Sequence, residues 1–285
     1  MADSKLKNVI VRTLSGAVYV ALIVVATLYP IVMIPLMCLL TVIGLVEYFK
    51  MMDAQNPDRL LRNILITFVV FLYLLIFASA VSPMLPIGPY QQFHYAFFLF
   101  LLLAVVSLCG KQESAARQVG LSLFALCWLV LPLSLMTDAC LNDGQGRVVL
   151  FTFVLVWIND TFAYLGGSMY GRHKMVERIS PNKTWEGTLT GFVFTMVASV
   201  LAGYFWGGQI FLGATFHWYG WLLFGLTVSL LATMGDLLES WLKRQAGVKD
   251  SGKIMPGHGG VLDRLDSILL TVYPVITVLE VLLML

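Results

Sequence analysis

About nine apolar runs, each close to the ~20 residues that a helix needs to cross a bilayer, leave this chain little choice of environment. They are approximately Leu14 to Tyr29, Ile31 to Tyr48, Ile64 to Ala80, Phe93 to Cys109, Val119 to Met136, Val148 to Gly167, Thr188 to Trp206, Trp218 to Met234 and Ile268 to Leu283. Of the 285 residues 59% are hydrophobic and 12% charged, where a soluble domain carries roughly a quarter charged residues. A water-soluble fold is excluded, and the sequence predicts an all-α, polytopic integral membrane protein with about nine transmembrane helices. Only the Tyr29-Pro30 turn separates the first two runs, which could instead form a re-entrant hairpin. Met1 to Gly16 leads into the first run without a small-residue cleavage site, so it reads as a retained segment rather than a removed signal peptide.

The few charges set the orientation. Lys and Arg in short loops stay cytoplasmic. With nine spans and the N-terminus inside, every one of the 18 basic residues except Arg147 falls on the cytoplasmic side. The outer loops around Pro83 to Tyr90 and Gly207 to His217 hold no Lys, Arg, Asp or Glu. The expected location is therefore the cytoplasmic (inner) membrane. No long single-charge tract is present, which argues against extended disorder and against a nucleic-acid-binding arm. Cys38, Cys109, Cys127 and Cys140 are scattered without a CxxC pair, so they read as small buried hydrophobes and not as a zinc or disulfide framework. The two halves differ: residues 1–140 are almost free of ionisable groups within their spans and read as supporting, lipid-facing helices. Carboxylates and basic residues gather at the cytoplasmic ends of the spans in residues 141–285, the expected catalytic region.

Four stretches carry chemistry. Asp160, within Trp157-Ile158-Asn159-Asp160-Thr161, lies in an apolar span, where a carboxylate is costly and normally faces the bundle interior or a wet cavity. The loop Ser180-Pro181-Asn182-Lys183-Thr184-Trp185-Glu186-Gly187 leads into the seventh span. Ser followed by Pro is a good N-cap and first-turn pair, so the helix is predicted to start there, with its free N–H groups and Lys183 forming a phosphate site. The eighth span runs on so that Asp236, Glu239, Ser240 and Lys243 share one helix face.

The richest stretch is Lys249 to Ser267. Its glycines and Pro256 form a loop whose backbone can approach a ligand. Asp263 and Asp266 then fall on one face at the start of the last helix. Mg²⁺ takes one or two carboxylates and completes its octahedron with water and phosphate oxygens. Asp236 with Asp263 fits that need, with Asp266 as a third ligand or support, while Glu239 is not assigned to the metal. Gly247 to Lys253 mimics GxxxxGK, but Ile254 replaces the Ser or Thr of a P-loop and a helix precedes it, so a P-loop is rejected.

The pattern Ser240-x-x-Lys243-Arg244-x4-Lys249-Asp250-x5-Pro256-Gly257-His258-Gly259-Gly260-x2-Asp263-Arg264-x-Asp266 resembles the signature of the phosphatidate cytidylyltransferases, also called CDP-diacylglycerol synthases. Ser180 to Gly187 and Trp157 to Tyr164 are similar to that family too, as are, more weakly, Arg12 to Gly16 and Glu47-Tyr48. Asn159 and Thr161 depart from the small residues the family carries beside Asp160. The resemblance implies CTP and phosphatidate as substrates, CDP-diacylglycerol and pyrophosphate as products, dependence on Mg²⁺ with a second cation left open, and a homodimer. Joined to the Mg²⁺ reading above, Asp236 and Asp263 are the expected metal ligands with Asp266 beside them. Lys183, Lys243, Arg244, Lys249 and Arg264 become phosphate contacts, with Ser240, His258 and Asp160 in secondary substrate-binding roles. The rivals are a CTP-dependent lipid-alcohol kinase and an ion-coupled transporter built on Asp160 and Asp236. Against the transporter, the ionisable groups cluster at one face and no internal repeat is visible.

Overall fold

The computed structural model describes residues 2–52, 59–81, 94–101, 112–141, 145–210, 217–255 and 259–284. These residues form helices α1 (Ala2–Leu28), α2 (Pro30–Met52), α3 (Arg59–Val81), α4 (Gln112–Ala125), α5 (Leu131–Leu141), α6 (Gln145–Tyr170), α7 (Trp185–Ile210), α8 (Trp218–Gln245) and α9 (Leu262–Met284). A further helical stretch lies at 94–101. One short antiparallel pair, β1 (Lys174–Val176) with β2 (Ser180–Thr184), joins α6 to α7. The fold is all-α apart from this hairpin. Each apolar run predicted from the sequence lies on a helix where it is described; most of Phe93 to Cys109 falls outside the described residues.

Six helices among the described residues are long and apolar enough to cross a membrane, against the nine expected. They are Pro30–Met52, Arg62–Val81, Ala116–Leu141, Gly146–Tyr170, Trp185–Gly208 and Trp218–Gln245, while Thr13–Leu28 forms a shorter apolar helix. The exposed faces fit this reading. Along α7 the outward stripe is Leu189, Val193, Val197, Leu201 and Tyr204, an apolar surface that water would penalise and lipid accepts.

The chain divides into two compact units: 1–141 with 250–264, and 142–249 with 265–285. The segment 250–264, which follows the eighth span in sequence, thus belongs to the first unit. In that unit α2 packs on α1, α3 and α5. The stripe Leu65, Val69, Leu72 and Ile76 of α3 is buried at helical spacing. Tyr73 and Thr41 hydroxyls meet at 3.1 Å, satisfying two polar groups inside the apolar core. Tyr48 stacks on Phe124 with centroids 6.0 Å apart. Between α4 and α5 the chain makes a π-helical turn, Leu126–Val130, in which the Leu131 N–H reaches back to the Leu126 carbonyl.

In the second unit α6, α7 and α8 pack through residues without side chains. A Cβ on Gly187 of α7 would lie 2.6 Å from the Ala163 carbonyl oxygen and 2.9 Å from Gly167 Cα on α6. Gly191 sits as tightly against the Asn159 carbonyl, at 2.8 Å. On the other side of α7, the Ser199 hydroxyl donates to the Trp221 carbonyl of α8 at 2.7 Å. Small residues that let backbones touch are a recurrent way of holding helices together in lipid, where side-chain burial gives little drive.

One predicted helix start is corrected. Ser180 and Pro181 do not open α7 but belong to strand β2, and the helix begins at Trp185. The cap is Thr184, whose hydroxyl oxygen accepts the Gly187 N–H at 3.2 Å. Pairing of Val176 with Ser180 and of Lys174 with Thr184 keeps the chain extended through Pro181, which an edge strand tolerates because no ladder N–H is required of it.

Candidate active site

The polar heart of the second unit is made where α8 meets the beginning of α9. Gly235 permits it: a Cβ there would lie 2.5 Å from the Asp266 carbonyl oxygen and 3.1 Å from Ser267 Cα. This contact sets Asp266 against the next turn of α8, so that Asp236, Glu239 and Asp266 each offer one carboxylate oxygen and all three lie within 4.8 Å of one another. Asp236 and Glu239 share a face because they are three residues apart on one helix. Oxygen-only donors at this spacing fit a hard divalent cation such as Mg²⁺.

Two lysines stand against the carboxylates. Lys183, brought by strand β2, places its Nζ 2.7 Å from Asp236 Oδ2, and it also donates to the Thr233 carbonyl at 3.4 Å. Lys243 pairs with Glu239 one turn along α8, and Glu239 is fully buried. The Ser240 hydroxyl donates to Asp236 Oδ1 at 3.2 Å. Asp266, ahead of the apolar run of α9, accepts the Ser267 N–H at 2.7 Å. Burial, and then the charges of Asp236, Glu239 and Asp160, push the Asp266 carboxyl well above the usual carboxylate range. Asp160 receives the Asn159 amide at 3.4 Å.

Arg244 and Lys249 lie at the end of α8. The Arg244 guanidinium donates to the Ile179 carbonyl of the β-hairpin and to the Val248 carbonyl. Gly247 has φ +69°, and the Val248 and Gly247 N–H groups bond back to the Lys243 and Arg244 carbonyls. That is a Schellman helix stop. It accounts for the first glycine of the GxxxxGK decoy without any phosphate loop. Lys249 is exposed just beyond.

Asp263 and Arg264 fall in the first unit. Asp263 Oδ2 accepts the Ser251 N–H, the Ser251 hydroxyl and the Gly260 N–H, at 2.9, 3.0 and 2.7 Å. Its carboxylate therefore closes the glycine loop back onto the start of α9. The Arg264 carbonyl accepts the Tyr19 hydroxyl at 3.2 Å. His258 lies outside the described residues. Of the residues expected at the site, then, Asp236, Ser240, Lys243, Lys183 and Asp266 come together in one unit, with Asp160 close enough to act on Asp266 electrostatically.

Sequence reasoning left out three carboxylates with structural prominence. Glu239 shares the helix face of Asp236 in the sequence without an assignment to the metal, and the fold brings it into the acidic group. Glu186 accepts the Arg172 and His173 N–H groups at 3.1 Å and pairs with His173 Nδ1 at 2.5 Å, folding the turn before β1. A carboxylate in the first turn of α7 was visible in the sequence; its partners were not. Glu47 is buried on α2, and its Oε2 accepts the Leu262 N–H at 3.1 Å and lies 3.3 Å from the Ser251 hydroxyl that Asp263 also faces.

Comparison with known proteins gives these residues a context. A phosphatidate cytidylyltransferase of Staphylococcus aureus (strain COL) is 44% identical over 133 residues, 46% of this chain and 48% of that protein. The chain thus spans about half the length of this relative. Phosphatidate cytidylyltransferases of Rickettsia felis and Rickettsia bellii are each 33% identical over 184 residues, 61% of this chain, covering 77% and 76% of those proteins. The family model described as the cytidylyltransferase family matches residues 8–282, which take in the carboxylates, both lysines and the glycine loop, and the chain belongs to that family.

Proposed function

We propose that the protein is a phosphatidate cytidylyltransferase, transferring CMP from CTP to phosphatidate to give CDP-diacylglycerol and pyrophosphate in phospholipid biosynthesis. The observation that carries this reading is the group of Asp236, Glu239 and Asp266 with Lys183 and Lys243, set in apolar helices of a cytidylyltransferase-family chain. Such a group can hold a divalent cation and anionic phosphates together.

A phosphate monoester is mostly ionised near neutral pH, its second pKa being about 6, so no strong general base is needed. Its oxygen forms a bond to the α-phosphorus of CTP while the bond to pyrophosphate breaks. The demands on the protein are holding two polyanions in line and offsetting charge on the leaving group. Lys183 and Lys243, poised beside carboxylates, supply cationic donors for phosphate oxygens, and Arg244 and Lys249 extend that set; a phosphate contact by Arg264 rests on the family resemblance. Ser240 orients Asp236, as its 3.2 Å hydrogen bond supports. Asp236, Glu239 and Asp266 would hold Mg²⁺, which when bound neutralises phosphate charge. The metal role of Asp263, a second cation and the substrate contacts of His258 and Asp160 rest on the family resemblance.

The same reading has nine spans, a cytoplasmic N-terminus and an inner-membrane site facing the cytoplasm, supported by the distribution of basic residues, all but Arg147 on one side; its homodimer rests on the family resemblance. Phosphatidate would reach it sideways from the inner leaflet. The test is purified protein in phosphatidate-containing vesicles with Mg²⁺ and radiolabelled CTP. CDP-lipid and pyrophosphate in equal amounts are expected. Phosphorylated lipid alcohol with release of CDP would instead identify the kinase, and solute uptake without lipid product would identify a transporter.

A further inference from the structure

Two carboxylates of the first unit close on one serine. Ser251 Oγ lies 3.0 Å from Asp263 Oδ2 and 3.3 Å from Glu47 Oε2, yet a hydroxyl has a single proton to donate. Glu47 comes from α2, 204 residues earlier in the chain, and is only 4% exposed. Its Oε2 also takes the Leu262 N–H, one of the first-turn donors of α9 that have no partner within their own helix. Its Oε1 is buried without a hydrogen-bond partner among the described residues.

The loop is moulded around this carboxylate. A Cβ on Gly252 would run into Glu47 Oε1, and a Cβ on Gly260 would lie 2.6 Å from Glu47 Oε2 and collide with Ser251 Oγ. Both glycines are thus needed for close approach to Glu47, not for turning the chain. Simple stabilisation does not explain the choice of residue. A buried carboxylate with one oxygen unmet is unfavourable, and an apolar side chain of similar volume would often serve packing as well or better. What Glu47 adds is direction: an acceptor that fixes where Ser251 and Leu262 sit, and with Ser251 the oxygen of Asp263 that it holds.

We propose that Glu47 is a positioning residue for the reaction: it fixes Ser251 and Leu262, and through Ser251 the Asp263 carboxylate, in the arrangement used in turnover. This rests on the cytidylyltransferase reading for its link to catalysis. Glu47 touches no reacting atom in this scheme; it acts through Ser251 and Leu262.

The experiment compares full-length wild type, Glu47→Gln and Glu47→Leu in lipid nanodiscs, with two readouts. The first is kcat and KM for CTP, per folded molecule. The second is hydrogen exchange at the Ser251, Gly260 and Leu262 amides, without substrate. Gln keeps the shape and one carbonyl acceptor, so kcat should stay within about threefold of wild type. Leu keeps the bulk but no acceptor. It should lower kcat on the order of 10-fold or more while KM for CTP changes little, and speed exchange of the three amides by a similar factor. If Glu47→Leu does not fold, Ser251→Ala, which removes only the shared hydroxyl, should lower kcat severalfold and loosen the same loop.

A folded Glu47→Leu or Ser251→Ala protein with wild-type kcat and unchanged loop protection overturns the proposal. So does a loss of activity that merely follows the folded fraction. Wild-type protein that makes no CDP-lipid refutes the functional reading alone, because the exchange rates still report whether Glu47 holds the loop.

Discussion

Replacing Asp266 by Asn should make the protein more stable in EDTA and far less active in Mg²⁺. The carboxylate oxygens of Asp236, Glu239 and Asp266 lie within 4.8 Å of one another, and two like charges at that distance repel by about 3.5 kcal/mol at an effective dielectric constant of about 20. Lys183 and Lys243 offset part of this for Asp236 and Glu239. Asp266 faces both of those carboxylates and is itself half-buried, so the folded state bears the remainder, either as repulsion or as the work of keeping Asp266 protonated. The Asn variant keeps the shape and an acceptor for the Ser267 N–H but removes the charge. A net relief on the order of 1–2 kcal/mol follows, which raises an apparent unfolding midpoint by a few degrees in a protein of this size. Wild type should gain about 2.7 kcal/mol when Mg²⁺ is 100-fold above its dissociation constant, and the variant should lose most of that gain. Turnover should fall on the order of 100-fold, the usual scale for losing a group that stabilises transition-state charge. The assay is thermal unfolding in detergent, in EDTA and then in Mg²⁺, beside CDP-lipid formation. An Asp266→Asn protein that is less stable in EDTA and fully active would refute the reasoning, since the carboxylates would then be a structural ion-pair web.

Three further outcomes are expected. Thr184→Ala removes the cap that accepts the Gly187 N–H and should lower stability by about 1 kcal/mol, seen as a lower unfolding midpoint. Gly187→Ala should destabilise by about 1–3 kcal/mol through overpacking against Ala163 and Gly167. Gly208→Ala, whose Cβ meets nothing within 4 Å, should be neutral or gain up to about 1 kcal/mol from helix propensity; equal midpoints for the two glycine variants would count against the close α6–α7 contact. Single cysteines introduced at Lys5 and Lys249 on a cysteine-free background should label from the same side, and one at Arg147 from the other.

The helices were legible because lipid-length apolar runs leave a chain few options; the chemistry was only partly so. Asp236, Ser240, Lys243 and Asp266 could be gathered from helical spacing and a long motif. Glu239 shares that face too, but spacing says nothing of burial, and only the packing of Gly235 on Asp266 shows that it joins the acidic group. The Ser180-Pro181 pair carries a real helix-start signal, yet pairing of β2 with Lys174 and Val176 overrides it, and strands of three and five residues leave little alternating pattern to read. Asp263 was assigned from its place beside Asp266 on the last helix. Its three hydrogen bonds to Ser251 and Gly260 depend on how the glycine loop folds back, and so does the link to Glu47 across 204 residues.

The backbone-to-backbone seam of α6 and α7 has a consequence for handling the protein. Interfaces made of side chains can swell, because each side chain has other rotamers to visit and detergent tails can slip into the gaps they leave. Gly187 against Gly167, and Gly191 against Asn159, have no such slack. Their spacing is set by atoms that cannot rotate aside, and prising them apart forfeits the close van der Waals contact that holds helices together in lipid. During extraction from the bilayer, α6 and α7 should therefore travel as one piece and be the last pair in their unit to separate. A detergent screen that follows only whether this pair stays together would overlook damage elsewhere, so the quality of a preparation is better judged at Asp266 or at the Ser251 loop.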